Sequence, residues 1–470
     1  MTKGLRRVAL GTALSFFVLS LGLVYWQVAK ADDLLANPAN RRLVLLESRV
    51  KRGGIFDYYG EILAKTETVQ GRQQRVYPKG EAFEPLLGYA TVQHGSAGLE
   101  ASLADWLLGL KRPNPAQQLQ QIFQLPRQGD DVVLTIDAGL QKTAFEALRG
   151  KTGAAVALDP RTGRVLALVS QPSFDATNLD RNWDEIAAHP GSPLQNHAFA
   201  LFPPGSTMKV VTSAALFKGG LDTTELFDCE GSTVINGQVI REQNDKAHGW
   251  VNYNLALADS CNTYFATHAV QAGSDNFLAA ARAFGFGQRI PFELPVERSS
   301  IVNADRGGPV PSHLETNLLA ASAFGQGQVM VSPLHMALVT AAIANQGVMM
   351  TPYLVERVLD PDQHVVYEAR PKPWLTPLTK EEAAKVASAM ITAVNEGTAA
   401  PGALPHVQVA AKTGSAEPGD DARTHAWYVA FAPADAPRVA VGVLVEHGGT
   451  GGGAAAPIAQ AIIRQALTRK

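Results

Sequence analysis

The strongest constraint on this chain comes at its start, where residues 8–29 form a run of 22 uncharged, mostly apolar residues. As a helix rising about 1.5 Å per residue, such a run crosses the roughly 30 Å hydrocarbon layer of a bilayer. Lys3, Arg6 and Arg7 precede it. The positive-inside rule then places the N-terminus in the cytoplasm and everything after Lys30 outside. Tyr25 and Trp26 suit the far interface. A cleaved signal peptide is the competing reading, but the run exceeds a usual h-region and no small-x-small cleavage site ends it. The expectation is a single-pass anchor over residues 1–30 in the cell membrane, with the rest of the chain extracytoplasmic.

The remaining length calls for more than one core by the usual domain-size prior. A formal net charge of −2 with no Lys/Arg blocks gives no footprint for nucleic acid. Two cysteines, Cys229 and Cys261, make neither a disulfide framework nor a thiol cluster for structural zinc, and the histidines form no H-E-x-x-H pair. No metal or cofactor is expected. Residues 31–129 are mixed in character, with a Pro/Asn/Gln-rich stretch at 112–118, and read as a small, partly extended module. At Asp130 a short β-type run begins, followed by a helical pattern over 140–148, which sets a boundary and a last region of 130–470. Apolar runs at 153–158 and 164–169 flank a Pro/Gly turn, and runs at 425–431 and 438–446 form a second such pair before a closing helix over 456–467. Ala-rich helical stretches at 332–345 and 380–395 lie between them. Strands at both ends of a helical middle predict an α+β fold, an antiparallel sheet with helices on its faces.

Three short motifs follow in order in that last region. In Ser206-Thr207-Met208-Lys209 the serine should stand near a helix start, where free N–H groups and the dipole favour an oxyanion, with Lys209 three residues on along the same face. A lysine acts as base only if burial or a second cation lowers its pKa. In Ser260-Cys261-Asn262 a second hydroxyl could relay a proton and the Asn amide could hold a substrate amide. In Lys412-Thr413-Gly414-Ser415 a cation and two hydroxyls suit a carboxylate, while Gly414 permits close backbone approach. Taken singly, each has an ordinary alternative: an N-cap serine, a loop asparagine, a solvated lysine.

S-x-x-K, S-x-N and K-T-G in this order resemble the motif set of penicillin-binding proteins and serine β-lactamases. The resemblance extends to Pro204-Gly205, Cys229-Glu230-Gly231, His248-Gly249, Phe324-Gly325-Gln326-Gly327-Gln328 and Trp427-Tyr428-Val429. Upstream, residues 37–42, Arg52-Gly53-Gly54 and Leu87-Gly88-Tyr89 resemble the short pedestal of the monofunctional, class B members. The resemblance implies a peptidoglycan D,D-transpeptidase acting on stem peptides that end in D-Ala-D-Ala and inhibited covalently by β-lactams. It implies Ser206 as nucleophile, Lys209 as base, Ser260 as proton relay, Asn262 on the acyl-side amide, and Lys412, Thr413 and Ser415 on the terminal carboxylate. It also implies a membrane-embedded glycan polymerase as partner. A D,D-carboxypeptidase shares every motif, and a non-turnover β-lactam sensor or scaffold is the alternative from another class. A secreted β-lactamase is disfavoured by the anchor and pedestal.

Two further features are set aside. Gly150-Lys151-Thr152 lacks the first glycine of a phosphate loop, and the glycine run 448–453 matches no nucleotide fingerprint and reads as a flexible turn. The two cysteines either pair or remain as buried free thiols.

Overall fold

A computed structural model describes residues 3–30, 50–69, 72–111, 127–302, 309–417 and 423–468. Residues 37–42 and 112–118, singled out above, lie outside these.

Helix α1 (Lys3–Val24) passes into a π-type turn over Tyr25–Ala29. The span Gly4–Gln27 has a mean hydropathy of 2.0 and packs against nothing in the described chain, so it is long and apolar enough to cross a membrane.

Two sheets organise the remainder. The first has six strands: β1 (Ile55–Phe56), β2 (Ile62–Val69), β3 (Arg72–Val76) and β4 (Asp131–Leu134), joined by two that come much later in the chain. Strand β4 lies parallel to β1, with Ile55 opposite Val132. It therefore pairs on one edge with the upstream module and on the other with a strand of the large region. Beside this sheet, Glu100 is fully buried and accepts from Arg52 Nε and Arg75 Nε at 2.6 Å each.

After β4, Asp137 accepts from the Leu140 N–H and opens α2 (Ala138–Leu148). Strands β5 (Gly153–Leu158) and β6 (Val165–Gln171) form the expected hairpin. The middle of the chain supplies α3 (Lys209–Lys218), the hairpin β7 (Ser232–Ile235) and β8 (Gln238–Arg241), α4 (Asn262–Ala272), and α5 (Pro333–Ala344). Helix α5 is apolar on every side and buried at every position, the pattern of a central core helix. Strands β9 (Val355–Leu359) and β10 (Val365–Glu368) complete the six-stranded sheet in the order β10-β9-β4-β1-β2-β3. Helix α6 (Lys380–Asn395) begins with a capping box between Thr379 and Glu382.

The second sheet closes with β11 (Ala410–Ala416), β12 (His425–Ala432) and β13 (Val439–Val445). Its order is β6-β5-β13-β12-β11, antiparallel throughout. Strands β5, β12 and β13 are buried at every position, because helices cover both faces: α2 and α7 (Ala456–Thr468) on one, α5 and α6 on the other. This is the expected α+β sandwich, with the Lys412 motif on its edge strand.

The glycine run does not form the expected flexible turn. A Cβ at Gly451 would lie 2.1 Å from the Trp427 carbonyl and 2.8 Å from that of Gly414, so the run packs directly against the strands that carry the site.

Candidate active site

The three motifs meet at the edge of the five-stranded sheet. Ser206 sits in a 3-10 turn, Gly205–Met208, that runs straight into α3, so it stands at a helix start as its sequence implies. The turn is fixed from three sides. Trp427 Nε1 donates to the Pro203 carbonyl at 2.9 Å, Gly205 N–H donates to the Gly325 carbonyl at 3.0 Å, and Thr207 Oγ1 donates to the Pro204 carbonyl at 2.8 Å. Backbone meets backbone here: a Cβ on Gly325 would fall 1.9 Å from Gly205 O. On β11 a Cβ on Gly414 would lie 2.9 Å from Pro204 O.

Lys209 opens α3 and is wholly buried. Its Nζ lies 3.0 Å from Ser206 Oγ, 2.6 Å from the Ser260 carbonyl, 3.2 Å from Ser260 Oγ and 2.7 Å from Asn262 Oδ1. Two of these partners, the carbonyl and the amide oxygen, can only accept. A neutral amine has two hydrogens and one lone pair, so satisfying both acceptors leaves the lone pair for a hydroxyl, and Ser206 Oγ is the nearer. Burial lowers the Lys209 pKa to about 8 against the opposing pull of Glu242. The amine can therefore accept a proton near neutral pH, which an exposed lysine cannot.

Ser260 lies between two lysines. Lys412 Nζ donates to Ser260 Oγ and to the Thr413 carbonyl, both at 2.9 Å. Lys412 is also wholly buried, and burial together with the Lys209 charge holds it well below an ordinary lysine. Ser260 has φ +65°, left-handed backbone that costs a residue with a Cβ about 1 kcal/mol or more. Thr413 Oγ1 pairs with Thr398 Oγ1 at 2.8 Å, and Ser415 is half-buried at the cleft. All eight residues named from sequence thus come together: Ser206, Lys209, Ser260, Asn262, Lys412, Thr413, Gly414 and Ser415.

Sequence reasoning missed Glu242 and Thr398. Thr398 lies in a turn after α6 with no motif around it. Glu242 sits in an ordinary polar run, Arg241-Glu242-Gln243-Asn244-Asp245, yet is buried behind Asn262. It also changes the picture of the cysteines. Cys229 and Cys261 are buried free thiols with Sγ atoms 3.0 Å apart. Glu242 and His248 join them, four potential donor atoms within 4.8 Å of one another. Pairing of Phe227–Cys229 with Gly249–Val251 brings together residues whose spacing carries no motif. Hydrogen bonds already engage this group, since Cys261 Sγ accepts from Tyr264 N–H at 3.3 Å and Cys229 Sγ lies 3.2 Å from His248 Nδ1.

Comparison with known proteins accounts for both sheets. Residues 153–464 match the penicillin-binding protein transpeptidase domain, and residues 52–132 the penicillin-binding protein A dimerisation domain. This chain belongs to the class B penicillin-binding proteins. Within that family it is 35% identical to the peptidoglycan D,D-transpeptidase PbpA of Mycobacterium tuberculosis, over 99% of each chain. It is 30% identical to the D,D-transpeptidase MrdA of Acinetobacter baumannii, over 86% of this chain and 67% of that one. The ceftriaxone acyl-enzyme complex of M. tuberculosis penicillin-binding protein A superposes with a TM-score of 0.83 at 34% identity, covering 90% of this chain and 100% of that one. The penicillin G acyl-enzyme complex of the same protein gives 0.82 at 34% identity, covering 89% and 100%. Members of this family thus form covalent adducts with β-lactams on the same fold.

Proposed function

We propose that this penicillin-binding protein is a peptidoglycan D,D-transpeptidase that cross-links stem peptides through an acyl-enzyme on Ser206. The observation that carries the reading is the hydrogen-bond set of Lys209, whose two acceptor-only partners leave its lone pair toward Ser206 Oγ. Ser206 attacks the carbonyl of the penultimate D-Ala while Lys209 takes its proton. The oxyanion forms at the N–H groups of Ser206 and Ser415, donors of a kind worth about 10²–10³ in rate each. Ser260, bridging Lys209 and Lys412, passes a proton to the departing D-Ala. Asn262 orients the acyl-side amide, and Lys412, Thr413 and Ser415 receive the terminal carboxylate. An amine from a neighbouring stem then resolves the ester by the reverse sequence. Strand β11, at the sheet edge, suits a peptide laid alongside it.

The chain divides functionally into residues 1–30 as anchor, 31–129 as pedestal and 130–470 as catalytic region. The anchor holds the cell membrane with the catalytic region outside, a reading supported by the basic residues ahead of the apolar helix. A membrane-embedded glycan polymerase supplies the strands to be joined. The test is the intact mass of the protein after benzylpenicillin, beside Ser206→Ala. One stable adduct on the wild type and none on the variant is expected. An unmodified, folded wild type would remove Ser206 as acylation site.

A further inference from the structure

Helix α4 begins inside the protein, and its first N–H groups need buried acceptors. Its N-cap residue, Cys261, offers only a thiol, a weak acceptor, to Tyr264 N–H at 3.3 Å. The first two amides are satisfied instead by a residue 20 positions earlier. Glu242 Oε2 accepts from Asn262 N–H at 2.8 Å and Oε1 from Thr263 N–H at 2.7 Å. The adjacent Arg241 carbonyl accepts from Asn262 Nδ2 at 2.9 Å. Asn262 is therefore gripped at backbone and side chain by the end of the β7–β8 hairpin, and its Oδ1 is turned to Lys209 at 2.7 Å. Two residues before it, Ser260 holds its left-handed φ of +65° with both its carbonyl and its hydroxyl on Lys209.

From this geometry we infer that Glu242 is the positioning residue of the Ser260-Cys261-Asn262 motif: one buried carboxylate at a helix N-terminus that fixes where Ser260 and Asn262 stand against Lys209. A bidentate anion at that end satisfies two orphan donors and complements the dipole, which a single hydroxyl cap cannot do. The same charge acts on the amine. The groups facing Lys209 are the neutral Ser206, Ser260 and Asn262, the cation Lys412, and beyond them Glu242 and the two thiols, Cys261 and Cys229. Glu242 is the carboxylate among them. It opposes the effect of burial and keeps the Lys209 pKa from falling further. Burial alone would raise the Glu242 carboxyl, but the Thr263 and Asn262 amides and Lys209 outweigh it and hold it below the usual range, so Glu242 stays ionised at neutral pH.

The inference rests on the reading of Lys209 as base, and two variants separate charge from fit. Glu242→Gln keeps the length and removes the charge. Glu242→Asp keeps the charge and shortens the reach. The readout is the second-order rate of benzylpenicillin acylation on the full-length protein as a function of pH, followed by intact mass. In the wild type the rate should climb with pH through the Lys209 titration. For Glu242→Gln the climb should move to lower pH by about one unit, with a plateau lowered about tenfold. For Glu242→Asp the midpoint should stay and the plateau alone should fall, about tenfold. A role in stability only would lower Tm without moving the midpoint. An unmoved midpoint in Glu242→Gln, or a wild-type plateau in Glu242→Asp, overturns the inference. If Glu242→Gln does not fold, the Asp plateau decides. A wild type that takes up no Ser206-dependent adduct defeats the Lys209 reading itself, a different failure from a Glu242→Gln profile that superposes on a normal wild type.

Discussion

Two buried clusters in this molecule each combine carboxylate and cation, and they do opposite things. In the pedestal, Glu100 is bound directly by Arg52 and Arg75 through their Nε atoms. In the cleft, Lys209 and Lys412 touch hydroxyls and carbonyl oxygens, while Glu242 gives its oxygens to backbone amides. In the first cluster each guanidinium has the carboxylate as a direct counter-ion, and arginine does not lose its proton. In the second, the lysines are buried with no direct counter-ion among the described residues, and their pKa values fall. The first cluster is a staple. The second stores basicity, and lysine is the residue that can release it.

The sharpest way to break the comparison is to exchange the two cation types. Lys209→Arg keeps the positive charge but removes the base, and benzylpenicillin acylation should fall by about 10³-fold. Arg52→Lys in the pedestal should lower Tm and leave the acylation rate near that of the wild type. Removing the pedestal carboxylate comes next. Glu100→Gln strands two buried guanidinium groups and should destabilise the fold by about 3–5 kcal/mol in urea titration. Burial alone would raise the Glu100 carboxyl, but Arg75 and Arg52 outweigh it and hold it low. Its contribution is thus complete above the ordinary carboxylate range and is lost as pH falls through the depressed value. The variant should lack that acid limb.

A third carboxylate sharpens the contrast because no cation lies beside it among the described residues. Glu84 is buried, its Oε2 has no hydrogen-bond partner among the described residues, and burial pushes its pKa up to about 8. A raised carboxyl favours the protonated form in the fold, so stability should decline as pH rises from the ordinary carboxylate range through about 8. Glu84→Gln should remove that decline, gaining on the order of 2 kcal/mol at alkaline pH and nothing in acid. The smallest effect is on the wild type itself. With Lys209 near 8, acylation at pH 7 should run about tenfold below its alkaline plateau.

The candidate site residues were legible in sequence because each motif is local: Ser206 and Lys209 are three positions apart, and a helix turn brings them together. The paired strands β5–β6 and β12–β13 were legible for a similar reason, as apolar runs joined by short turns. Three kinds of feature were not. The pairing of β4 with both β1 and β9 joins segments far apart in the chain, and no periodicity reports which strands will be neighbours. Gly451 looks like slack until Trp427 and Gly414 are found against it. Glu242 sits in a polar run that would suit any exposed loop, and only the burial of α4's N-terminus gives its carboxylate a task.

One consequence of the edge position of β11 extends beyond chemistry. An unpaired strand edge is a common seed for aggregation, and proteins usually blunt theirs with a bulge, a proline or a protruding charge. Strand β11 pairs with its neighbour in unbroken register and contains no proline. Six of the seven residues of β11 are buried instead, walled in by the Gly205–Met208 turn, α6 and the neighbouring strand. The edge is guarded by what stands around it, not by any feature of the strand itself.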